Sequence, residues 1–203
     1  MERVFILDVS GSMNDCLSDT IGGFDAFVKD QTNLGGTLSL FLFNDTLKEE
    51  YINTPIEQVQ PLTFVPQGGT ALYDAIGKVL TTQKLSNTST VIILTDGHEN
   101  SSRQYNRQVI RDLIKMKESD GVRFLFLGAK EDAFDGAEDI GISRNDRLNY
   151  YGDSQSPAAF NDLTHCLRAR SKGVERPLSR SDMPPTTPTQ DTDTEVFPET
   201  QVV

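Results

Sequence analysis

The chain of 203 residues has two cysteines, two histidines and a shortage of positive charge. Cys16 and Cys166 are too few and too far apart for a disulfide framework, and neither belongs to a CxxC metal pair, so both are expected as reduced structural thiols. Nineteen Lys and Arg against thirty Asp and Glu leave a formal charge of -11. Without a basic footprint, a mainly electrostatic binder of nucleic acid or of an anionic membrane is disfavoured. Basic partners or metal ions suit such a surface better. Long apolar runs are missing too. The stretch Met1–Asp8 holds too short an apolar run for a signal peptide, and no segment approaches the length of a bilayer span. A cytoplasmic address, in a cell or an infected cell, is the resulting expectation. No internal repeat is present.

What the chain does have is alternation. Short apolar runs rich in β-branched and aromatic residues recur at Val4–Leu7, Leu38–Phe43, Val91–Leu94 and Phe124–Leu127, and read as strands buried on both faces. Between them, apolar residues fall at three- and four-residue spacing: Ile21, Phe24, Phe27 and Val28; Leu72, Ile76, Val79 and Leu80; Val109, Ile110, Leu113, Ile114 and Met116. Leu47–Ile52 reads as a more polar edge strand, antiparallel because it follows Leu38–Phe43 through the turn Asn44-Asp45-Thr46. Ala133–Ile140 is a short helix candidate and Leu148–Tyr151 a last strand. Pro157–Ala169 is a last helix with Ser156 as its N-cap. The expected class is α/β: a doubly wound, Rossmann-like, mostly parallel sheet with one antiparallel edge strand and helices on both faces.

The domain is expected to span residues 1–171. From 172 to 203 the periodicity stops: Val174–Val203 contains five of the nine prolines, six acidic residues and two basic ones. That composition predicts a disordered acidic tail.

In a doubly wound sheet, the first strand and the strand after the second crossover lie side by side, and their C-terminal ends flank the ligand crevice. Asp8 ends the first and Asp96 follows Val91–Thr95, so the two carboxylates should face each other. Ionised carboxylates so placed repel unless a cation lies between them. Ser10 and Ser12 alternate with Val9 and Gly11, which lets both hydroxyls point to one centre. Thr70 follows Gly68-Gly69 and stands where it would cap a helix Ala71–Lys84. Three hydroxyls and two carboxylates make an all-oxygen set, suited to Mg²⁺, Mn²⁺ or Ca²⁺ and not to zinc or copper. Five protein groups leave octahedral coordination incomplete, and the ion can take one more oxygen.

At Asp8-x-Ser10-x-Ser12, Thr70 and Asp96 the chain resembles the von Willebrand factor A domains, whose metal-ion-dependent adhesion site has this pattern. The resemblance covers roughly residues 3–170. It implies that the hydroxyls bind the ion directly, that the aspartates often act through water, and that an Asp or Glu of a partner protein completes the shell. More narrowly, Gly68–Ile76, Thr95–Ser102 and Phe124–Ala129 are similar to small standalone A-domain proteins of bacteria and their phages. In A-domains the last helix packs near the first, which makes a Cys16–Cys166 pairing conceivable, although a cytosolic setting disfavours it. Asn44, Gly69, His98 and Glu99 are expected on the partner-binding rim. A turn-forming Asn is the plainer reading of Asn44.

The function that follows is a non-enzymatic, metal-dependent protein-binding module. A Mg²⁺-dependent phosphohydrolase with Asp8 as nucleophile is the alternative, but the position two residues on is Ser10, where an acid-base Asp would be needed. A nucleotide-binding domain fails on motif, since neither G-x-G-x-x-G at the first turn nor a Walker loop occurs. His98 as a general base lacks a nucleophile with a third partner.

Overall fold

The computed structural model describes residues 1–97, 99–129, 133–150 and 156–178. Six strands form one sheet: β1 (Glu2–Asp8), β2 (Thr37–Phe43), β3 (Leu47–Pro55), β4 (Ser89–Thr95), β5 (Arg123–Gly128) and β6 (Arg147–Asn149). Their order is β3-β2-β1-β4-β5-β6, with every pairing parallel except β2 with β3. Chain order reverses direction at β1, which puts the switch point between β1 and β4.

The interior strands are apolar on both faces because both faces are covered. Phe5 and Leu7 pack under α1 (Leu17–Thr32) and α5 (Ser156–Ser171), whereas Val4 and Ile6 pack under α2 (Leu72–Thr82) and α3 (Arg107–Ser119). The rings of Phe24 and Phe27, one helical turn apart on α1, both meet Phe5 edge to face at 5.2 Å between centroids. Each such ring, fully buried, contributes on the order of 2–3 kcal/mol. The short α4 (Ala133–Asp139) lies on the α2–α3 side through Ala137. No helix among the described residues is long and apolar enough to cross a membrane.

The strands and helices lie where their periodicity predicts them, with shifted ends. The edge strand β3 continues three residues beyond Ile52, to Pro55. The last strand is Arg147–Asn149, and Tyr151 lies outside the described residues. α2 starts at Leu72, not Ala71, and Thr70 does not cap it. Its first free N–H groups are met from a distant loop: the Tyr73 N–H donates to Glu99 Oε2 (3.0 Å) and the Asp74 N–H to Ser102 Oγ (3.0 Å).

The described chain continues past residue 171. α5 ends in a left-handed Gly173 (φ +74°), with the Val174 N–H donating back to Ala169 O at 3.0 Å. The chain then turns against the β5–β6 edge of the sheet. There the Leu178 N–H donates to Asn145 O at 2.7 Å and the Leu178 side chain is buried. Glu175 pairs with Arg123 at 3.0 Å. Seven residues expected in the tail, 172–178, thus continue from α5 in the described structure, and Leu178 supplies an apolar anchor that composition averaging hides. The rest of the expected tail, from residue 179, lies outside the described residues.

Candidate metal centre

The site forms at the C-terminal ends of β1 and β4, where Leu7 and Leu94 lie in register. Past Asp8 the chain is drawn over the sheet by two backbone bonds, Val9 N–H to Phe43 O (2.7 Å) and Gly11 N–H to Gly68 O (3.0 Å). Within that curl Asp8 Oδ1 accepts from the Ser10 N–H at 2.7 Å, a local Asx turn that fixes the loop. Asp8 Oδ2 accepts from Thr95 Oγ1 at 2.5 Å, across the β1–β4 boundary.

The hydroxyls then converge. Ser10 Oγ and Ser12 Oγ lie 3.2 Å apart, and Ser12 Oγ donates to Asp96 Oδ1 at 2.7 Å. A methyl group placed on Gly97 would stand 3.7 Å from Ser12 Oγ and 3.9 Å from Thr70 Oγ1, so those two hydroxyls border one small space. Asp8, Ser10, Thr70 and Asp96 are buried, while Ser12 is exposed at the mouth.

Burial pushes the Asp8 carboxyl up to about 6; the hydrogen bonds from Thr95 and Ser10 oppose the rise, and the nearby charge of Asp96 adds to it. A carboxylate held this way gains from a cation beside it. Among the described residues no three His, Cys, Asp or Glu side chains gather at one point. Two carboxylates and three hydroxyls make an all-oxygen donor set of the kind that suits a divalent cation.

The residues expected on the rim have other work. Asn44 holds its own turn, with its Oδ1 accepting from the Thr46 N–H and its Nδ2 donating to Gln67 O, both at 3.0 Å. Gly69 donates its N–H to Asp45 Oδ2 at 2.9 Å, and a Cβ there would meet Ser101 Oγ at 2.1 Å. Glu99 is fully occupied within the chain: besides Tyr73 N–H it accepts from the Ser101 and Ser102 N–H groups and from the Ser102 hydroxyl. Four donors around this one carboxylate give Glu99 a structural role in joining its loop to α2. His98 lies outside the described residues. His165 is exposed on α5.

Four residues at the site escaped the sequence reading. Thr95, Asp45, Asn100 and Asp74 all act through hydrogen bonds to distant segments. Asn100 Oδ1 accepts from the Thr70 N–H at 2.9 Å, and Asp74 accepts from the N–H groups of Arg103, Gln104 and Tyr105, each at 2.8 Å. The signal available was the run Asn100-Ser101-Ser102, three residues of capping type with no helix of their own to start. Cys16 and Cys166 are not joined in a disulfide and are buried in separate surroundings, Cys16 beside Met13 and Tyr150, Cys166 donating to Arg176 O at 3.2 Å.

Solved structures share this architecture. A von Willebrand factor type A protein from Catenulispora acidiphila superposes with a TM-score of 0.54 at 15% identity, over 82% of this chain and 42% of its own. The fold is that of a von Willebrand factor A domain. The mussel byssus proximal thread matrix protein 1, with a zinc-occupied MIDAS motif, matches at TM-score 0.59 and 16% identity over 82% of this chain and 47% of its own. The manganese-loaded TRAP protein of Plasmodium vivax matches at TM-score 0.59 and 15% identity, over 84% of this chain and 72% of its own. This chain thus spans less than half the length of the mussel protein. No family model and no curated protein sequence matches it. At these identities the likeness extends to the fold, and the site must be argued from its own atoms.

Proposed function

We propose that the chain is a divalent-cation-dependent protein-binding module. Asp8, Ser10, Ser12, Thr70 and Asp96 hold Mg²⁺, with Mn²⁺ or Ca²⁺ as close substitutes, and an Asp or Glu side chain of a partner protein fills the remaining position. The observation that carries this reading is the contact set of Ser12, whose hydroxyl meets Ser10 of its own loop and Asp96 of the neighbouring strand end. The pattern and the fold support it, as does the manganese named for the Plasmodium protein; the zinc named for the mussel protein is also divalent, but it is an ion set aside above on the grounds of the all-oxygen donor set. A bacterial or phage setting is the proposed context.

The phosphohydrolase reading is weaker on geometry. Each Asp8 oxygen already accepts one hydrogen bond, from Ser10 and from Thr95, and the position two residues on is Ser10, which supplies no acid-base carboxylate. Purified protein with Mg²⁺ is expected to leave p-nitrophenyl phosphate intact.

The test of the binding reading is a pull-down from native cells with wild type and Asp8→Ala, each in Mg²⁺ and in EDTA. Prey specific to wild type in Mg²⁺ is the expected result. The same prey in all four arms overturns the proposal.

A further inference from the structure

Thr70 lies in a segment with no secondary structure of its own, one residue before the residue that precedes α2. Nothing local fixes the direction of its hydroxyl. Threonine is stiff about χ1, so the placement of Oγ1 follows the placement of the backbone.

That backbone is held from two sides. On one, the Gly69 N–H donates to Asp45 Oδ2 and the Ala71 N–H to Asn44 O, both at 2.9 Å. On the other, Thr70 itself is bonded through both of its peptide groups. Its N–H donates to Asn100 Oδ1 at 2.9 Å, and its carbonyl accepts from the N–H groups of Asn100 (3.0 Å) and Ser101 (3.3 Å). The Glu99 carboxylate secures the same loop by bonding Tyr73 N–H in the first turn of α2, where a negative charge is also favoured by the helix dipole.

Asp96 lies only four residues before Asn100 in the chain. The Thr70 hydroxyl is therefore placed by the lock of Glu99–Ser102 onto residues 70–74, a short chain distance from Asp96. The Asp8–Ser12 loop forms the other half of the cup, joined to this unit by Ser12 with Asp96 and by Asp8 with Thr95.

Granted the metal site proposed above, we infer that Asn100 and Glu99 are positioning residues for it: they touch neither the ion nor the partner, and they hold Thr70 at the spacing from Asp96 that an ion requires. Asn100 is the sharper case, because a single oxygen performs its role. Its Oδ1 accepts from the Thr70 N–H and from Ser101 Oγ (2.6 Å). Asn100→Asp keeps that acceptor, and Asn100→Leu removes it at similar volume. Ligands fixed before the ion arrives lose less freedom on binding, and second-sphere substitutions of this kind typically weaken metal affinity by about 10–100-fold.

The experiment measures Mn²⁺ affinity by electron paramagnetic resonance of the free ion, with the full chain well below its melting temperature, alongside melting in EDTA. Asn100→Leu is expected to lose at least about tenfold in Mn²⁺ affinity, with Asn100→Asp at or above the wild-type value. Gly23→Ala, a packing change between α1 and α5, serves as control: it lowers the melting temperature and leaves Mn²⁺ affinity unchanged. Should Asn100→Leu not fold, Asn100→Ser, whose side chain is too short to reach Thr70, is expected to show the same loss. Wild type that binds Mn²⁺ together with Asn100 variants that bind equally well overturns the positioning role and leaves the metal site standing. Wild type that does not bind Mn²⁺ overturns the metal site itself.

Discussion

The Ser12 hydroxyl donates to Asp96 Oδ1 at 2.7 Å although 84 positions separate them in the chain. One residue follows β1 and the other follows β4, so the bond closes the switch point of the sheet with a pair that are both candidate ligands. An ion entering here would replace a proton-shared contact between two groups by a charge that both can face. Binding of the ion and tightening of this end of the sheet should therefore be one event.

That linkage gives the first expectation. Mg²⁺ or Mn²⁺ at a hundred times its dissociation constant should stabilise the domain by about 2.7 kcal/mol, read as an upward shift in melting temperature. Asp8→Ala and Thr70→Ala should abolish the shift. A metal-induced shift unchanged in both variants would contradict the assigned ligands.

Asp8 carries a pH signature with a definite sign. Its carboxyl is raised from 3.8 to about 6, chiefly by burial, so the folded chain binds that proton more tightly than the unfolded chain does. The ionised form thus opposes folding: the destabilisation is absent below pH 3.8 and fully present above pH 6. In EDTA at pH 8, Asp8→Asn should be more stable than wild type by about 1–3 kcal/mol, the advantage fading toward pH 4. With saturating Mg²⁺ the order should reverse. Denaturant titrations at the two pH values check both statements.

Gly23 of α1 faces Phe160 of α5. A Cβ on it would stand 2.2 Å from the buried Phe160 ring, which also packs edge to face on Tyr150. Gly23→Ala should cost about 1–3 kcal/mol through overpacking, although alanine is the better helix former. A rise in stability on thermal melting would show that the two helices can separate without cost.

The outer limit of the domain is testable by truncation. A chain ending at 171 loses the Leu178 anchor and the Glu175–Arg123 pair, and should be less stable by about 2–4 kcal/mol than one ending at 178. Equal urea midpoints for the two would return the boundary to the end of α5.

The sequence by itself determined the class of fold and nominated the five residues of the candidate site. Runs such as Val4–Leu7 and Val91–Leu94 are apolar at every position, which only a strand covered on both faces requires, and the alternation with helical spacing left a doubly wound sheet as the consistent answer. Asp8 and Asp96 follow directly from that, since a strand's C-terminal end is a position along the chain. Tertiary structure alone decided the roles of the flanking residues. Glu99, Asn100, Asp45 and Asp74 all bind backbone groups 24 to 31 positions away, and no local pattern encodes which distant N–H a carboxylate will meet. For the same reason Thr70 reads as a helix cap in sequence while in the fold the cap comes from Glu99 and Ser102, and Leu178 reads as tail while its burial depends on the β5–β6 edge. Periodicity reports which side of an element is covered; it carries no information about which loop, arriving from elsewhere in the chain, satisfies the polar groups at its end.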